Sequence, residues 1–397
     1  MKPTDATGRR KFLTLGAAAA AASCTKPEPS ESGAHMRAYG ERSTHETQVR
    51  VIRELTKSPG TGSSRTPLHE IHGIITPSAL HYERHHSGVP AIDPAQHRLL
   101  IHGLVEKPLS FSVDDLKQFP AISRIYFLEC GGNSVGDYRR AFQPTVQGSH
   151  GLLSCSEWTG VSLALVLREI GVRPEAKWMI AEGADAGRMA RSIPMSKVLG
   201  DALLVYGQNG EALRPEQGYP LRLFLPGWEG NTNVKWLHRL EFAAEPAMSA
   251  KETANYTELL PSGKAQQFSF VMDARSVITR PSGGLKLTRK GFHEITGLAW
   301  SGHGKIARVE ITTDGGATWT DAALQAPVLS LAVARFRFPW QWDGAPAVLG
   351  SRCTDETGYV QPTHEALIDA YGGNSGYHYH AIRMWDVKET GEVVVHA

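Results

Sequence analysis

Two stretches of this chain carry residues able to do chemistry. In the first, Arg124-Ile-Tyr-Phe-Leu-Glu-Cys130-Gly-Gly-Asn-Ser134, a run of strand-forming residues delivers a cysteine to the start of a glycine turn. Ile125, Tyr126, Phe127 and Leu128 suit a half-buried strand, while Gly131 and Gly132 free the backbone to bend and let a large partner approach. A thiolate so placed is a metal ligand or a nucleophile, and the same pattern also fits a buried structural cysteine closing a strand. In the second stretch, Leu80-His-Tyr-Glu-Arg-His-His86, imidazoles gather around one guanidinium. That composition binds a metal or an anionic group such as phosphate, or else forms a solvated polar loop.

The elements around these stretches read as a compact α+β region. Residues 97–105 alternate as a strand, and 112–119 form a short helix opened by the Ser112 cap. Residues 157–170 read as a turn followed by a helix stopped at Gly171. Strands are expected at 177–182, 201–206 and 219–225, with a tight turn at Gln208-Asn-Gly210. No GxGxxG or phosphate-binding loop occurs, so nothing points to nucleotide chemistry.

Composition bounds the answer. The chain has 397 residues with 41% hydrophobic content, enough for two or three domains with their own cores. Its 42 basic and 40 acidic residues leave a net charge of +2, which lends no support to nucleic-acid binding. Cys24, Cys130, Cys155 and Cys353 make neither a disulfide framework nor a zinc ribbon. There is no Cys-x-x-Cys-His, so no covalent c-type haem is expected on this chain.

The N-terminus reads as an address. Gly8-Arg9-Arg10-Lys11-Phe12-Leu13 and the Ala-rich run to Ala22 have the basic and short apolar regions of a bacterial signal peptide of the twin-arginine type. Residues 1–24 are therefore expected to direct export of a folded protein to the periplasm. Ala21-Ala22-Ser23-Cys24 also resembles a lipoprotein cleavage site, so membrane attachment is expected only if Cys24 is lipidated. Residues 25–64 read as a linker and surface-wrapping segment.

Taken in order, Arg84-x-His86, Phe119-Pro120, Glu129-Cys130-Gly-Gly-Asn133, Trp158-x-Gly160, Ser192-Ile-Pro194, Asn209-Gly210, Gly218-Tyr-Pro-Leu-Arg222 and Val234-Lys-Trp-Leu237 resemble the molybdopterin domain of the sulfite oxidase family. The resemblance implies that residues 65–246 bind a molybdenum–molybdopterin cofactor, with Cys130 as the protein ligand of the metal beside the dithiolene sulfurs of the pterin. By match, Tyr82, Glu83, Arg84, His85 and His86 hold the pterin and face the metal, and Asp185 contacts the pterin ring. Arg222 and the Asn233-Val234-Lys235 run match the pocket for the pterin and its phosphate, where buried anionic oxygens need cationic partners. Gln217 stands at a cofactor-contact position usually held by histidine. Tyr256, in Asn255-Tyr256-Thr257, falls at the family's active-site tyrosine by order and spacing, which gives Cys130, Tyr256 and Arg84 as catalytic residues.

The remaining third reads as a connector over 247–267, then short alternating strands with glycine turns over 268–397, resembling the family's immunoglobulin-like dimerisation domain. Two departures bear on substrate. Ser134-Val135 replaces a pair of arginines, and Gly230-Asn-Thr-Asn233 replaces Gly-Ala-Arg, so cationic groups are missing on the substrate side. Hydrogen bonds to a charged group contribute about 1.5 to 3 kcal/mol each, so losing two weakens a free dianion by roughly a hundredfold to ten-thousandfold. The tail, Tyr371-Gly-Gly-Asn-Ser-Gly-Tyr-His-Tyr-His-Ala-Ile-Arg-Met-Trp385, and Gly227-Trp-Glu-Gly-Asn231 resemble the sulfane dehydrogenase branch of the family, which works in thiosulfate oxidation.

The resemblance implies a periplasmic oxidoreductase that oxidises sulfane sulfur on a carrier protein's cysteine and passes electrons to a c-type cytochrome subunit, as a homodimer within a heterotetramer. The alternatives are a sulfite dehydrogenase acting on free sulfite and, in another class, a cysteine-nucleophile hydrolase or a non-catalytic docking module.

Overall fold

The strand that ends at Cys130 organises the first half of the fold. In the computed structural model, which describes residues 36–54, 59–373 and 375–397, Ala121–Glu129 pairs antiparallel with Leu153–Ser162 from Ala121↔Val161 to Glu129↔Leu153. The twin-arginine segment and Cys24 lie outside the described residues. Leu203–Gln208 pairs with the other edge of Leu153–Ser162, and Arg222–Phe224 joins Leu203–Gln208. A second sheet runs in the order Leu109–Phe111, Leu99–Gly103, Leu237–Ala243, Trp178–Gly183, Ala190–Pro194, with one parallel pair between Leu99–Gly103 and Leu237–Ala243.

A continuous apolar core joins these two sheets to the helix Leu163–Ile170. The helix buries Leu163, Val166, Leu167 and Ile170, one stripe at helical spacing, and ends at Gly171 with φ 74°. The capped helix near Ser112 spans Val113–Leu116, where Ser112 and Asp115 form a reciprocal capping box.

One expectation is corrected. Residues 157–162, read as a turn before the helix, belong to the strand Leu153–Ser162. Pairing on both sides overrides local propensity: Trp158 lies opposite Arg124 and Gln208 and is completely buried. Gly160 has no room for a side chain, since an added Cβ would meet the Leu204 carbonyl oxygen at 2.2 Å. The expected strand at 219–225 shortens to Arg222–Phe224.

Part of the segment read as surface wrapping is also regular. Val51–Glu54 and Gly62–Arg65 form a three-stranded sheet with Glu83–His85, and this sheet presents Arg84. Residues 36–47 contain no helix or strand and carry an Arg37–Glu41 ion pair.

The C-terminal part is a sandwich of two antiparallel sheets. One holds Arg275–Arg280, Gly291–Trp300, Ala334–Trp342 and Ala323–Gln325; the other holds Thr320–Asp321, Ile306–Thr312, Ala347–Asp355, Met384–Val387 and Val393–Val395. Val277, Ile295 and Phe336 of the first meet Val309, Leu349 and Trp385 of the second. The same core takes in Phe127, Leu153 and Cys155 from the Cys130 sheet. Apolar packing is therefore continuous from the sandwich to the base of the cysteine strand.

Candidate active site

Cys130 lines a cavity together with Tyr82, Arg84, Gly230 and Tyr256. Its N–H donates to the Leu152 carbonyl at 3.0 Å, and the Asn133 N–H donates back to the Cys130 carbonyl at 2.8 Å, closing the turn. Burial pushes the thiol up, with Glu229 and Glu129 adding to the effect while the Gly132 N–H and Arg84 oppose it. An added positive charge is needed to hold a thiolate here. Among the described residues no group of three His, Cys, Asp or Glu is placed to hold a metal ion. A metal bound to Cys130 therefore takes its other donors from a ligand.

One wall comes from the strand Glu83–His85 and its flanks, so that Tyr82, Glu83, Arg84, His85 and His86 all line the cavity. Glu83 is held by Arg50 at 2.6 Å and by His85 Nε2 at 2.5 Å. Lys235 Nζ meets His85 Nδ1 at 2.9 Å. Burial lowers the His85 pKa and draws that of His86 down to about 3, so both imidazoles are neutral at physiological pH. Arg84 bonds the carbonyls of Gly62 and His85 and has no carboxylate partner among the described residues.

Next to this strand, and bonded to it through Lys235, is a cradle of buried cations. Arg222, almost completely buried, donates to the carbonyls of Gln217 at 3.0 Å and Asn233 at 3.2 Å, and its Nε has no partner. Its guanidinium lies 5.0 Å over the Trp158 ring. Lys235 donates to the carbonyls of Arg84 and Glu216. Burial, reinforced by Arg222, brings the Lys235 pKa down to about 7. Two buried cations facing carbonyls instead of carboxylates fit an anionic ligand such as a phosphate. The residues present thus fit a phosphorylated organic cofactor with a thiolate-ligated metal.

Gln217, Val234 and Asp185 also line the cavity. Gln217 is spent on the Tyr82 carbonyl at 2.8 Å, and Asp185 accepts the Met189 N–H at 3.1 Å. Asn233 reaches the cavity, but its carboxamide is spent on the backbone of its own loop: Oδ1 accepts from the Leu225 N–H and Nδ2 donates to the Trp228 and Glu229 carbonyls. Its side chain shapes the loop and offers no free donor to a ligand. Tyr256, with φ 52°, lines the cavity from the connector and packs on Tyr377 at 4.7 Å between ring centroids. The Arg191 guanidinium lies 4.9 Å over the Tyr256 ring. Burial, then Cys130 and Glu229, push the phenol well up, so Tyr256 remains a proton donor.

Every sequence-predicted site residue meets in this one cavity. Sequence reasoning missed Met189, Asn231 and Trp236, which also line it. Both polar atoms of the Asn231 carboxamide are buried without a partner, so it is poised to bind a ligand. It also missed a pair above the cysteine turn, where the His378 ring meets the Glu229 carboxylate at 3.2 Å and Glu229 also pairs with Arg191 at 3.3 Å. The His378 N–H donates to the Gly131 carbonyl at 2.8 Å.

A single cavity-lining cysteine, a buried cation cradle and neutral imidazoles around one cavity fit a molybdopterin-binding oxidoreductase. Residues 86–251 match the oxidoreductase molybdopterin binding domain family, and residues 266–384 match the Mo-co oxidoreductase dimerisation domain. The chain belongs to the sulfite oxidase family of molybdopterin oxidoreductases, which carry the molybdenum–molybdopterin cofactor.

It is similar to the crystal structure of the sulfane dehydrogenase SoxCD from Paracoccus pantotrophus, with 44% identity, a TM-score of 0.87, and coverage of 90% of this chain and 95% of that one. It is 34% identical over 277 residues to the mitochondrial sulfite oxidase of Drosophila melanogaster, covering 64% of this chain and 47% of that protein. It is also 34% identical over 300 residues to nitrate reductase [NADH] 1 of Oryza sativa subsp. japonica, covering 64% of this chain and 31% of that protein. The chain thus spans about half the length, or less, of these two curated relatives.

Proposed function

We propose that this chain is the molybdenum subunit of an exported sulfur oxidoreductase that oxidises sulfane sulfur carried on a protein cysteine and passes the electrons to a c-type cytochrome. When bound, the cofactor supplies two-electron redox chemistry at the sulfur, with water as the source of oxygen. Cys130 contributes the metal's protein thiolate, which in this buried setting needs the metal's charge to lose its proton. Lys235 and Arg222 would hold the cofactor's phosphate, and Asp185 would accept a hydrogen bond from its ring. Tyr256 offers its protonated phenol as a hydrogen-bond donor into the cavity.

The observation that carries the choice of substrate is the scarcity of unpaired cations around Cys130 outside the cradle. Tyr256 lines the cavity and packs on Tyr377, and the Arg191 guanidinium stacked on the Tyr256 ring has its charge matched by Glu229 and Glu252. Ser134, which stands where the family resemblance leads one to expect arginine, turns its hydroxyl to the Ser149 carbonyl at 2.8 Å. Arg84 is left as the cavity-lining cation outside the cradle, bonded to backbone carbonyls. A sulfur of low charge presented on a polypeptide suits this surface better than a free dianion. The likeness to a sulfane dehydrogenase structure supports the same reading.

The test is cytochrome reduction by the purified, cofactor-loaded protein with sulfite, thiosulfate or a carrier protein loaded with sulfane sulfur. Carrier-dependent turnover is expected. Rapid turnover of free sulfite overturns the reading in favour of a sulfite dehydrogenase. Export by the twin-arginine route to the periplasm is part of the proposal, and no helix among the described residues is long and apolar enough to cross a membrane. So is an assembly of two such chains joined through immunoglobulin-like sandwiches, each with one cytochrome.

A further inference from the structure

The residue before the cysteine does not face the cavity. Glu129 is completely buried, and its carboxylate accepts three donors: Asn133 Nδ2 at 2.9 Å, Arg275 Nη1 at 2.8 Å and Trp300 Nε1 at 2.6 Å. Asn133 belongs to the cysteine turn itself, whereas Arg275 and Trp300 come from the first sheet of the C-terminal sandwich. Arg275 Nη2 also donates to Ser134 Oγ at 2.5 Å, and Ser134 has the left-handed φ of 60°. On the other side the tail's His378 N–H holds the Gly131 carbonyl. The cysteine turn is thus gripped below and above by side chain and backbone from the C-terminal domain.

We infer that Glu129, Arg275 and Trp300 are positioning residues that fix the direction of the Cys130 thiolate, so the sandwich is a working part of the active site as well as a dimerisation module. The physical reason is the strength and direction of the contacts. Charge-assisted hydrogen bonds in a buried, low-dielectric setting are strong, and three donors arriving from different directions leave the carboxylate one orientation. The peptide that follows Glu129 begins Cys130, so a change in that orientation turns the Cα–Cβ bond of the ligand. The inference rests on the reading that Cys130 ligates the metal.

The experiment compares cofactor-loaded wild type with Trp300→Phe, which removes one N–H and keeps most of the ring volume, and with the charge-balanced Glu129→Gln/Arg275→Met pair, which avoids a lone buried charge. Metal content, the metal's electron paramagnetic resonance spectrum, kcat and KM are read on the holoprotein. Amide hydrogen exchange at Gly131 to Asn133 is read on cofactor-free protein. Faster exchange confined to that turn is expected, with a shifted metal spectrum and a kcat about tenfold lower at little-changed KM. Unchanged exchange in both variants overturns the inference, as does full metal content with an unaltered spectrum and kcat. Cys130→Ser separates the two readings. If it erases the metal spectrum while Trp300→Phe and the double variant leave it intact, only the positioning role fails; if Cys130→Ser itself keeps the spectrum, the ligand reading fails.

Discussion

Lys235 is a buried ammonium whose ordinary pKa of 10.5 is pulled to about 7. In cofactor-free protein the unfolded chain therefore holds a proton that the folded chain lacks between pH 7 and 10.5. Stability rises with pH across that window, and the penalty for burying the charge is present in full below it. A bound phosphate restores the charged form and removes the slope. Denaturation of cofactor-free protein from pH 7 to pH 10 should show the rise in wild type and a flatter profile in Lys235→Met; matching profiles would refute the assignment.

The three described cysteines separate cleanly by environment. Cys155 and Cys353 are 1% exposed in the apolar core that includes the sandwich, and burial pushes the thiols up, Cys155 to about 12. Ser at either should cost roughly 1 to 3 kcal/mol by burying a hydroxyl, with turnover preserved once the protein is loaded. Cys130→Ser should do the reverse, with a small change in Tm and loss of turnover. Tyr256→Phe removes a donor that can contribute about a hundredfold, so kcat should fall by about that factor with the metal content intact.

At the scale of elements, the site is built where strands stop. The Cys130 strand, the Glu83–His85 strand and the short turn Gly230–Thr232 converge on one point. The approach is close: a Cβ on Gly230 would lie 2.8 Å from Tyr82 Oη, 3.0 Å from the Glu129 carbonyl oxygen and 3.4 Å from the Cys130 Cα. Gly230→Ala should destabilise by roughly 1 to 3 kcal/mol and lower the cofactor content of purified protein, because the carbonyl cannot move without moving the cysteine. Thermal melts and metal analysis check both arms, and an unperturbed, fully loaded Gly230→Ala would show that the turn is compliant.

Much of this was legible in the chain because the signals are local. The Ser112 capping box, the Gly171 stop and the β-run into Cys130 each occupy a few consecutive residues. The strand at 157–162 was not legible, since Trp158-Thr-Gly160 becomes a strand only through pairing with neighbours on both sides. Nor was the meeting of Glu229 and His378, which lie 149 positions apart with no periodicity connecting them. Met189 and Trp236 carry no chemistry that singles them out, and they were found only by the cavity they line. Asn233 shows the converse: its place in a recognisable run drew attention, while its carboxamide works on its own loop.

For the whole molecule, two-electron chemistry on a chain with no haem attachment motif needs a separate redox centre to carry the electrons away. Residues 266–384 match a dimerisation domain, so two such chains are expected to associate about a two-fold axis. Light scattering on the chain alone should give about twice 43.3 kDa, less any leader removed. A stable monomer at micromolar concentration would mean that this sandwich does not use the family's interface.

The carboxylate that ties Arg275 and Trp300 to the residue beside Cys130 also bears on how such chains can diverge. Recombination at the connector would unite a cysteine turn from one ancestor with a sandwich from another, and the descendant would inherit an acid without its donors or donors without their acid. The two halves of the gene are therefore bound to travel together, and exchange between relatives should succeed only where Glu129, Arg275 and Trp300 pass down as a set.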